Sequence, residues 1–446
     1  MKNRFSTGNM QLFSYFLILS LLGSFLLQLP QAYVSGTPVP WLDSFFTGVS
    51  AVCVTGLSTI DMRVYTKVGF VFIALLIEFG GLGLLTYISL FMIIPSQKIS
   101  LVNRRLVKDF FIDNVNNNPT SIIRIILIYT LTIQLIGAVC LMPFLRSYGI
   151  ESWIFDSCFL SISAFCNAGF SVYYDSLARF NNAIPINMII SILIVLGGIG
   201  FVVLQNCFQS AIHKKKHLTT HTRLVLLSTL ILIVVGAVVY MGSDYDAALT
   251  KLPFKESLSA ALFESITTRT CGFETIPQQS FSHFSWTFTI FLMFVGGSPG
   301  SIAGGIKTTT LFVLLLFAFR GDQNTGSVIF NKRTIPAQII LKATSIVIKS
   351  IAVITVGIFL LCFTQIQSLI NGDMTIFELM FETVSAFGTV GLSMGITGAL
   401  TTASKIIIIF VMFAGRTAFV TMTILFPGQD SSKEIIRYPR SDILTG

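Results

Sequence analysis

Long apolar segments alternate along the whole chain with short polar runs that end in glycine. The run from Ser385 to Leu392 is the clearest, and runs of the same form end at Gly56, Gly169 and Gly272. Each run follows a short apolar stretch of about half the length that crosses a membrane. Repetition at similar intervals is the signature of repeated structural units. The pattern therefore predicts four copies of a unit made of a helix, a short re-entrant helix with its loop, and a second helix.

The copies also share individual positions. Ser and Ala stand six and five residues before the glycine in three copies, and Phe stands ten residues before it in the same three. The third copy departs there, with Leu262, Ile266 and Thr267. A second glycine element follows each run, at Gly80-Gly81, Gly197-Gly198, Gly296-Gly297 and Gly415. Small residues of this kind allow membrane helices to pack closely.

This division predicts an all-α membrane protein with eight transmembrane helices, in which four helix, pore loop and helix repeats take a pseudo-fourfold arrangement. The repeats cover residues 1–100, 101–212, 213–325 and 326–446, the last with a short cytoplasmic tail. Full crossings are predicted over residues 12–29, 68–95, 122–142, 186–208, 224–241, from 286 onward, 346–362 and 405–426. Re-entrant segments are predicted over residues 41–54, 153–168, 254–271 and 376–390.

Composition places the chain in the membrane. Hydrophobic residues make up 53% and charged residues 11% of the sequence, with a mean hydropathy of +0.80, whereas about a quarter of a soluble protein is charged. The net charge of +9 does not indicate nucleic-acid binding, because the basic residues cluster in alternate connections. The positive-inside rule then predicts a multi-pass protein of the cell membrane with both termini in the cytoplasm. The clusters include Lys2, Arg4, Lys98, Arg104, Lys214 to Lys216, Arg320 to Lys342, and Lys433 to Arg440.

The sequence shows no clear set of residues for catalysis or for binding a cofactor. The seven cysteines are an odd number, scattered mostly through apolar segments, and their spacing gives no disulfide framework or metal site. The four histidines show no catalytic partner. We therefore expect no enzyme activity and no cofactor in this chain.

The glycine that ends each polar run permits backbone conformations that turn consecutive carbonyls toward an axis. Carbonyl oxygens so arranged replace the hydration shell of a cation in a selectivity filter. The alternative is four re-entrant turns with ordinary turn glycines. Because the four runs recur in step, we favour a cation filter facing the outside.

The second crossing of repeat three is interrupted by small residues and predicts a gate below the filter. Non-helical backbone at membrane depth is tolerated only where it is buried in protein or lines a watery cavity. The alternative is a packing kink between helices. The gate residues are Gly296, Gly297, Ser298, Pro299, Gly300, Ser301, Gly304, Gly305 and Lys307.

Arg416 lies within the last apolar run, where a charged side chain usually faces the protein interior. Its aligned neighbours in the other repeats are glycines, so we expect the guanidinium to project into the cavity as part of the gate. An ion pair with a carboxylate such as Glu78 is the alternative.

These features together resemble the Trk/Ktr/HKT superfamily of cation transporters, and most closely its bacterial Ktr membrane subunits. The resemblance implies a potassium-translocating subunit, and glycine at all four aligned positions is the pattern associated with potassium preference. It also implies a homodimer on a cytoplasmic ring of RCK-type subunits, which bind the regulatory nucleotide, ATP or ADP. The sequence departs from the family after Arg416, where Thr417-Ala418-Phe419 replaces an apolar residue, Gly and Pro.

Carried over by position, the resemblance places potassium at the backbone carbonyls of four short segments. The implied filter residues are Cys53, Val54, Thr55 and Gly56; Cys166, Asn167, Ala168 and Gly169; Arg269, Thr270, Cys271 and Gly272; and Gly388, Thr389, Val390 and Gly391.

Two other classes of function remain open. A sodium-coupled secondary transporter would favour carboxylates within the membrane, for which Glu78 is the clear candidate. A membrane enzyme would require a nucleophile, a base or metal ligands that converge. We expect channel-like potassium uptake, with membrane lipid around the chain and no nucleic-acid partner.

Overall fold

The structure is a computed structural model that describes residues 7–34, 39–83, 119–212, 218–245, 247–250, 252–321, 326–331 and 333–417. Several expectations lie outside these residues. They concern the basic residues near both termini, most of the connection between the first two repeats, and Ala418 and Phe419.

Fifteen α-helices, four single-turn 3₁₀ helices and one short β-hairpin make up the main secondary structure of the described residues. The helices are α1 (Thr7–Leu27), α2 (Trp41–Cys53), α3 (Lys67–Gly81), α4 (Pro119–Ser147), α5 (Trp153–Phe165), α6 (Ile184–Ile199), α7 (Phe201–Ile212), α8 (Thr220–Asp244), α9 (Phe254–Thr267), α10 (His283–Phe294), α11 (Thr308–Arg320), α12 (Ala337–Thr364), α13 (Ile366–Asn371), α14 (Ile376–Gly388) and α15 (Thr402–Arg416). The strands β1 (Val328–Phe330) and β2 (Arg333–Ile335) pair antiparallel.

A short helix between two other helices recurs four times. The short helices α2, α5, α9 and α14 have 13, 13, 14 and 13 residues, and each begins where the sequence pattern places it. They pack against the preceding helices α1, α4, α8 and α12. Each short helix is therefore held inside the protein rather than exposed as an isolated half-span.

Three described helices have the length and hydropathy of a membrane span. They cover Arg124–Ser147, Thr220–Asp244 and Ala337–Thr364. A fourth span results if α6 and α7 count as one, although these helices are bent by 102°. Among the other predicted crossings, α3 and α15 end next to undescribed segments, and α10 and α11 are separated by residues 295–307. The number of eight therefore stays a prediction.

Two local predictions are corrected. The apolar run over residues 186–208 is not one straight helix, because it breaks at Gly200 with φ +96°. The connection between repeats three and four, predicted as a loop up to residue 342, contains the β-hairpin and the first turn of α12. The hairpin strands have three residues each, which is too short to give a clear alternation of polar and apolar positions.

The recurring phenylalanine of the sequence pattern is a core position. Phe46, Phe159 and Phe381 are at most 3% exposed. In repeat three the aligned Leu262 is only partly buried, and the next residue, Phe263, is fully buried instead. The third short helix therefore has the same buried aromatic, shifted by one residue.

A buried ion pair joins the first and last repeats. Lys405 at the start of α15 donates to Asp43 in the first turn of α2 at 2.7 Å, and their side chains are 14% and 10% exposed. Thr59 donates to the same carboxylate oxygen at 2.7 Å. Removal of one partner would leave a buried charge without compensation.

We expect Lys405→Met to destabilise the protein by about 3 kcal/mol for this reason. The measurement is the thermal unfolding midpoint in detergent. Arg63→Met is the matched control, because Arg63 pairs with Asp61 at the surface and such pairs contribute about 1 kcal/mol or less. Equal midpoints for the two variants would contradict a stabilising role for the buried pair.

Candidate functional site

The four glycines that end the polar runs meet in a closed ring, which we call the glycine ring. At Gly56 an added Cβ would lie 2.5 Å from the carbonyl oxygen of Ala168, in the next repeat. Corresponding contacts, closer still, pair Gly169 with Cys271, Gly272 with Val390, and Gly391 with Thr55. Each glycine faces the residue just before the glycine of the following repeat. The fourth contact returns to the first repeat, so the runs surround one axis.

The backbone of the four runs takes the same unusual conformation. Each glycine has positive φ, between +69° and +96°. The residue two positions earlier also has positive φ, although it is not glycine. Such conformations are uncommon for residues with a side chain, and four copies in step indicate a shared geometry. The non-glycine residues are Val54, Asn167, Thr270 and Thr389, with φ of +57°, +57°, +73° and +50°.

The N–H groups of the runs point back to the short helices. Thr55, Ala168 and Val390 each donate to the carbonyl of the serine five positions earlier, at 2.7, 2.8 and 2.9 Å. From Val54 to Gly56 and at the aligned positions of the other runs, no carbonyl accepts a hydrogen bond from any residue that the structure describes. These carbonyl oxygens are available as cation ligands.

In repeats one and four the recurring serine has a second role, which the sequence pattern does not predict, whereas the hydroxyl of Ser163 in repeat two has no hydrogen-bond partner among the described residues. The hydroxyls of Ser50 and Ser385 accept the N–H of Gly56 and Gly391, each at 3.1 Å. Repeat three has no such serine, and there both Cys271 and Gly272 donate to the carbonyl of Thr267. The departure noted in the sequence is therefore a local rearrangement that still holds the run in place.

The second glycine element lets the following helices approach the ends of the short helices. An added Cβ at Gly80, Gly197 or Gly415 would overlap a carbonyl oxygen at the last turn of α2, α5 or α14. The overlapped carbonyls belong to aligned residues four positions before the ring glycines, Val52, Phe165 and Phe387. In repeat three, Gly296 instead packs against the carbonyl of Gly304 within the interrupting loop.

The interruption of the second helix in repeat three is confirmed, and the segment 295–307 folds back on itself. We call this segment the intramembrane loop. Its ends pair as a parallel bridge between Val295 and Ile306, and Gly296 donates to Ile306 at 2.8 Å. The Lys307 ammonium donates to the carbonyl of Ala303 at 2.6 Å. The charged side chain thus closes the loop on its own backbone.

The intramembrane loop lies against the fourth run. A Cβ added at Gly304 would overlap the side chain of Thr389, and Gly305 lies near the carbonyl oxygen of Gly388. Thr389 and Gly388 come before the ring glycine, on the side of the short helix. The intramembrane loop therefore closely approaches the side of the glycine ring that adjoins the short helix α14.

Repeat two holds the middle of the intramembrane loop. Ser298 donates to the carbonyl of Gly198 at 2.9 Å, and Phe201 donates to the carbonyl of Gly300 at 3.1 Å. Gly200, at the bend between α6 and α7, faces the carbonyl of Pro299. The bend in repeat two and the loop in repeat three are parts of one interface.

Arg416 binds backbone carbonyls rather than a carboxylate. Its guanidinium donates to Gly80 and Gly81 at 2.7 and 3.0 Å and to Ile302 in the intramembrane loop. Glu78 instead accepts a hydrogen bond from the Gln134 amide. The alternative of an Arg416–Glu78 ion pair is therefore wrong. The arginine joins the last helix to the first repeat and to the loop.

The sequence predicts Glu78 as the clear carboxylate within the apolar segments, but other carboxylates are also buried in the short helices. Glu264 in α9 and Glu382 in α14 are 1% and 0% exposed. Both lie within short helices next to a buried aromatic, which was the available signal. No group of three or more His, Cys, Asp or Glu side chains capable of metal binding occurs in the part of the chain that the structure describes.

Comparison with known proteins decides the family. The family model described as TrkH, cation transport protein, matches residues 1–435. The chain belongs to this family of cation transport proteins. The resemblance inferred from the repeats is thus confirmed, and the family consists of membrane transporters rather than enzymes.

Relatives of this cation transport family match over nearly their whole length. The Ktr system potassium uptake protein B of Bacillus subtilis is 36% identical, with 99% of this chain and 97% of the relative covered. The potassium/sodium uptake protein NtpJ of Enterococcus hirae is 35% identical, over 97% and 95%. The crystal structure of the potassium transporter TrkH from Vibrio parahaemolyticus aligns with a TM-score of 0.75 at 18% identity, over 96% and 86%. The last match shows the shared fold.

We expect Gly197→Ala to lower the thermal unfolding midpoint, because its Cβ would overlap the carbonyl of Phe165. Overpacking of this kind costs about 1–3 kcal/mol. Gly242→Ala is the control, since no atom lies within 4 Å of its added Cβ and alanine favours helix by about 1 kcal/mol over glycine. A midpoint for Gly197→Ala equal to that of the control would contradict the close approach of α6 to α5.

Proposed function

We propose that this chain is the ion-translocating membrane subunit of a potassium uptake system. The observation that carries the proposal is the glycine ring, whose carbonyls accept no hydrogen bond from the described residues. A dehydrated cation requires such oxygens around it. The names of the Bacillus and Enterococcus relatives, which are potassium and potassium/sodium uptake proteins, support the choice of ion.

The four runs form the selectivity filter in this proposal. The filter comprises residues 53–56, 166–169, 269–272 and 388–391, with potassium at their carbonyl oxygens. The proposal includes eight transmembrane helices in a pseudo-fourfold arrangement, with the filter on the outer side and both termini in the cytoplasm. The division of the chain into four repeats follows the four short helices.

The intramembrane loop is the gate. It closely approaches the filter at Gly304, and it is held by Lys307 and by Arg416. All these contacts are hydrogen bonds or van der Waals contacts that a shift of the loop would break. The loop then has a closed position, with these contacts made, and an open position, with them broken. A conformational change of the cytoplasmic partner would open the pathway by shifting the equilibrium toward the open position.

The proposed assembly is a homodimer in the cell membrane with a cytoplasmic ring of RCK-type subunits. The name of the Bacillus relative, a component of a Ktr system, supports a separate partner. The partner supplies the nucleotide site for ATP or ADP, and this chain contributes the potassium pathway. A sodium-coupled transporter is the second candidate, and the name of the Enterococcus relative, a potassium/sodium uptake protein, favours it.

Substitution of Gly56 by serine tests the filter. The side chain would meet the carbonyl of Ala168 and would require a positive φ of 95°. We expect the ratio of potassium to sodium flux in proteoliposomes to fall by roughly tenfold, equivalent to about 1.4 kcal/mol. Gly149→Ser is the control, because Gly149 also has positive φ but has no atom within 4 Å of an added Cβ.

The filter assignment fails if Gly56→Ser keeps the flux ratio of the unsubstituted chain. Potassium flux that requires sodium on the same side would favour the coupled transporter instead. If the unsubstituted chain carries no cation even with its cytoplasmic partner present, the proposed function itself is wrong.

Substitution of Lys307 by methionine tests the gate. It removes the hydrogen bond to Ala303, and a hydrogen bond from a charged group contributes about 1.5–3 kcal/mol. We expect the flux in the absence of the partner to rise roughly tenfold. Lys67→Met, at the exposed start of α3, is the control. Unchanged flux and unchanged control by the partner would show that the loop is a packing kink.

A further inference from the structure

A carboxylate lies just beyond the glycine ring, at the junction of repeats three and four. Glu274 is two residues after Gly272 and is half-buried. Its carboxylate lies 3.5 Å from the backbone N–H of Ser393, which is two residues after Gly391. The intramembrane loop approaches residues that come before the ring glycines. Glu274 is therefore at the opposite end of the proposed filter from the gate.

The backbone of Glu274 is held in place by repeat two. Its N–H donates to the hydroxyl of Ser176 at 3.1 Å, and its carbonyl accepts the N–H of Leu177 at 2.9 Å. These contacts with the neighbouring repeat two fix the backbone from which the Glu274 side chain extends. The carboxylate thus has a defined position rather than that of a mobile surface group.

A second carboxylate contacts the same serine from inside the protein. One oxygen of Glu382 accepts the hydroxyl of Ser393, and it accepts the hydroxyl of Thr397 at 2.9 Å. The residue is fully buried, and its other oxygen, Oε2, has no hydrogen-bond partner. Ser393 therefore lies between an accessible carboxylate and a buried, half-satisfied one.

No described basic side chain pairs with either carboxylate. The ion pairs among the described residues join Arg63 to Asp61, Arg179 to Asp175 and Lys405 to Asp43. Burial of a carboxylate without a counter-charge is unfavourable. A cation bound beside Ser393 would offset part of this uncompensated negative charge.

We propose that Glu274 and Glu382 form an outer binding site for a monovalent cation, potassium or sodium, which an ion occupies before it enters the filter. A monovalent ion balances one of the two carboxylates, and water at the partly exposed Glu274 solvates the remaining charge. Glu274 gives the ion access, and the buried Glu382 adds negative potential behind it. This inference rests on the proposed function.

The test is the concentration of potassium that gives half-maximal uptake into proteoliposomes by the full chain with its cytoplasmic partner. We expect Glu274→Gln and Glu382→Gln each to raise this concentration roughly threefold or more with little change in maximal rate, since a local negative potential concentrates cations. Asp61→Asn is the matched control. Arg63 donates hydrogen bonds to Asp61 and lowers its pKa, so Asp61 is an ionised surface carboxylate that already has a counter-charge.

Salt distinguishes a binding site from diffuse surface charge, because exposed charges are screened at high ionic strength. Uptake is therefore repeated with a high concentration of N-methylglucamine chloride, and the effect of Glu274→Gln should persist. Sodium competition with potassium at the outer face, weakened in both variants, would support the site. The proposal is overturned if the half-maximal concentration is unchanged in Glu274→Gln, if Asp61→Asn has the same effect, or if added salt removes the difference.

Normal uptake by the unsubstituted chain combined with any of these results would reject the outer site and leave the proposed function intact. Absence of uptake by the unsubstituted chain would reject the function. If Glu382→Gln does not fold, as judged by size-exclusion chromatography in detergent, the outcome rests on Glu274→Gln, whose side chain is partly exposed.

Discussion

A backbone carbonyl inside a membrane protein needs a partner, because lipid supplies none. In this chain glycine lets several such carbonyls lie close to the backbone of a neighbouring segment inside the protein. The carbonyls of the polar runs lie against the Cα atoms of Gly56, Gly169, Gly272 and Gly391, and those at the ends of three short helices lie against a second set of glycines. The first arrangement brings the repeats together around an axis. The second brings the outer helices close enough to exclude lipid from that axis.

The same constraint explains the intramembrane loop. A segment that leaves the helical conformation must find acceptors and donors elsewhere, and this loop finds them in other repeats. Repeat two supplies the carbonyl of Gly198, and Arg416 of repeat four binds the carbonyl of Ile302. The guanidinium donates to the carbonyls of Gly80, Gly81 and Ile302 together. Without this donor the neighbouring carbonyl oxygens would repel one another. A charged residue in the last apolar segment is thus required by the backbone of distant segments.

Much of this arrangement could be predicted from the sequence, since it depends on length and glycine position. The half-length apolar stretches predicted the four short helices, and the small residues after Gly296 predicted the broken helix. The order in which the runs meet around the glycine ring could be inferred only from the repetition of the unit along the chain. The hydrogen bonds of Ser50 and Ser385 were not predicted. The partner of Arg416 could not be read at all, because a carbonyl acceptor belongs to every residue. In repeat three the buried aromatic is shifted by one residue relative to the ring glycine. An alignment on the glycine therefore does not identify Phe263 and Glu264 as core positions.

The contacts that close the ring join the two ends of the chain. Gly391 meets Thr55, Lys405 meets Asp43, and Arg416 meets Gly80. A protein is synthesised and inserted from its N-terminus, so the first repeat has to wait for the last before these contacts exist. A nascent or truncated chain that ends before the fourth run lacks one side of the glycine ring. The ring is therefore complete only after the last repeat has been made.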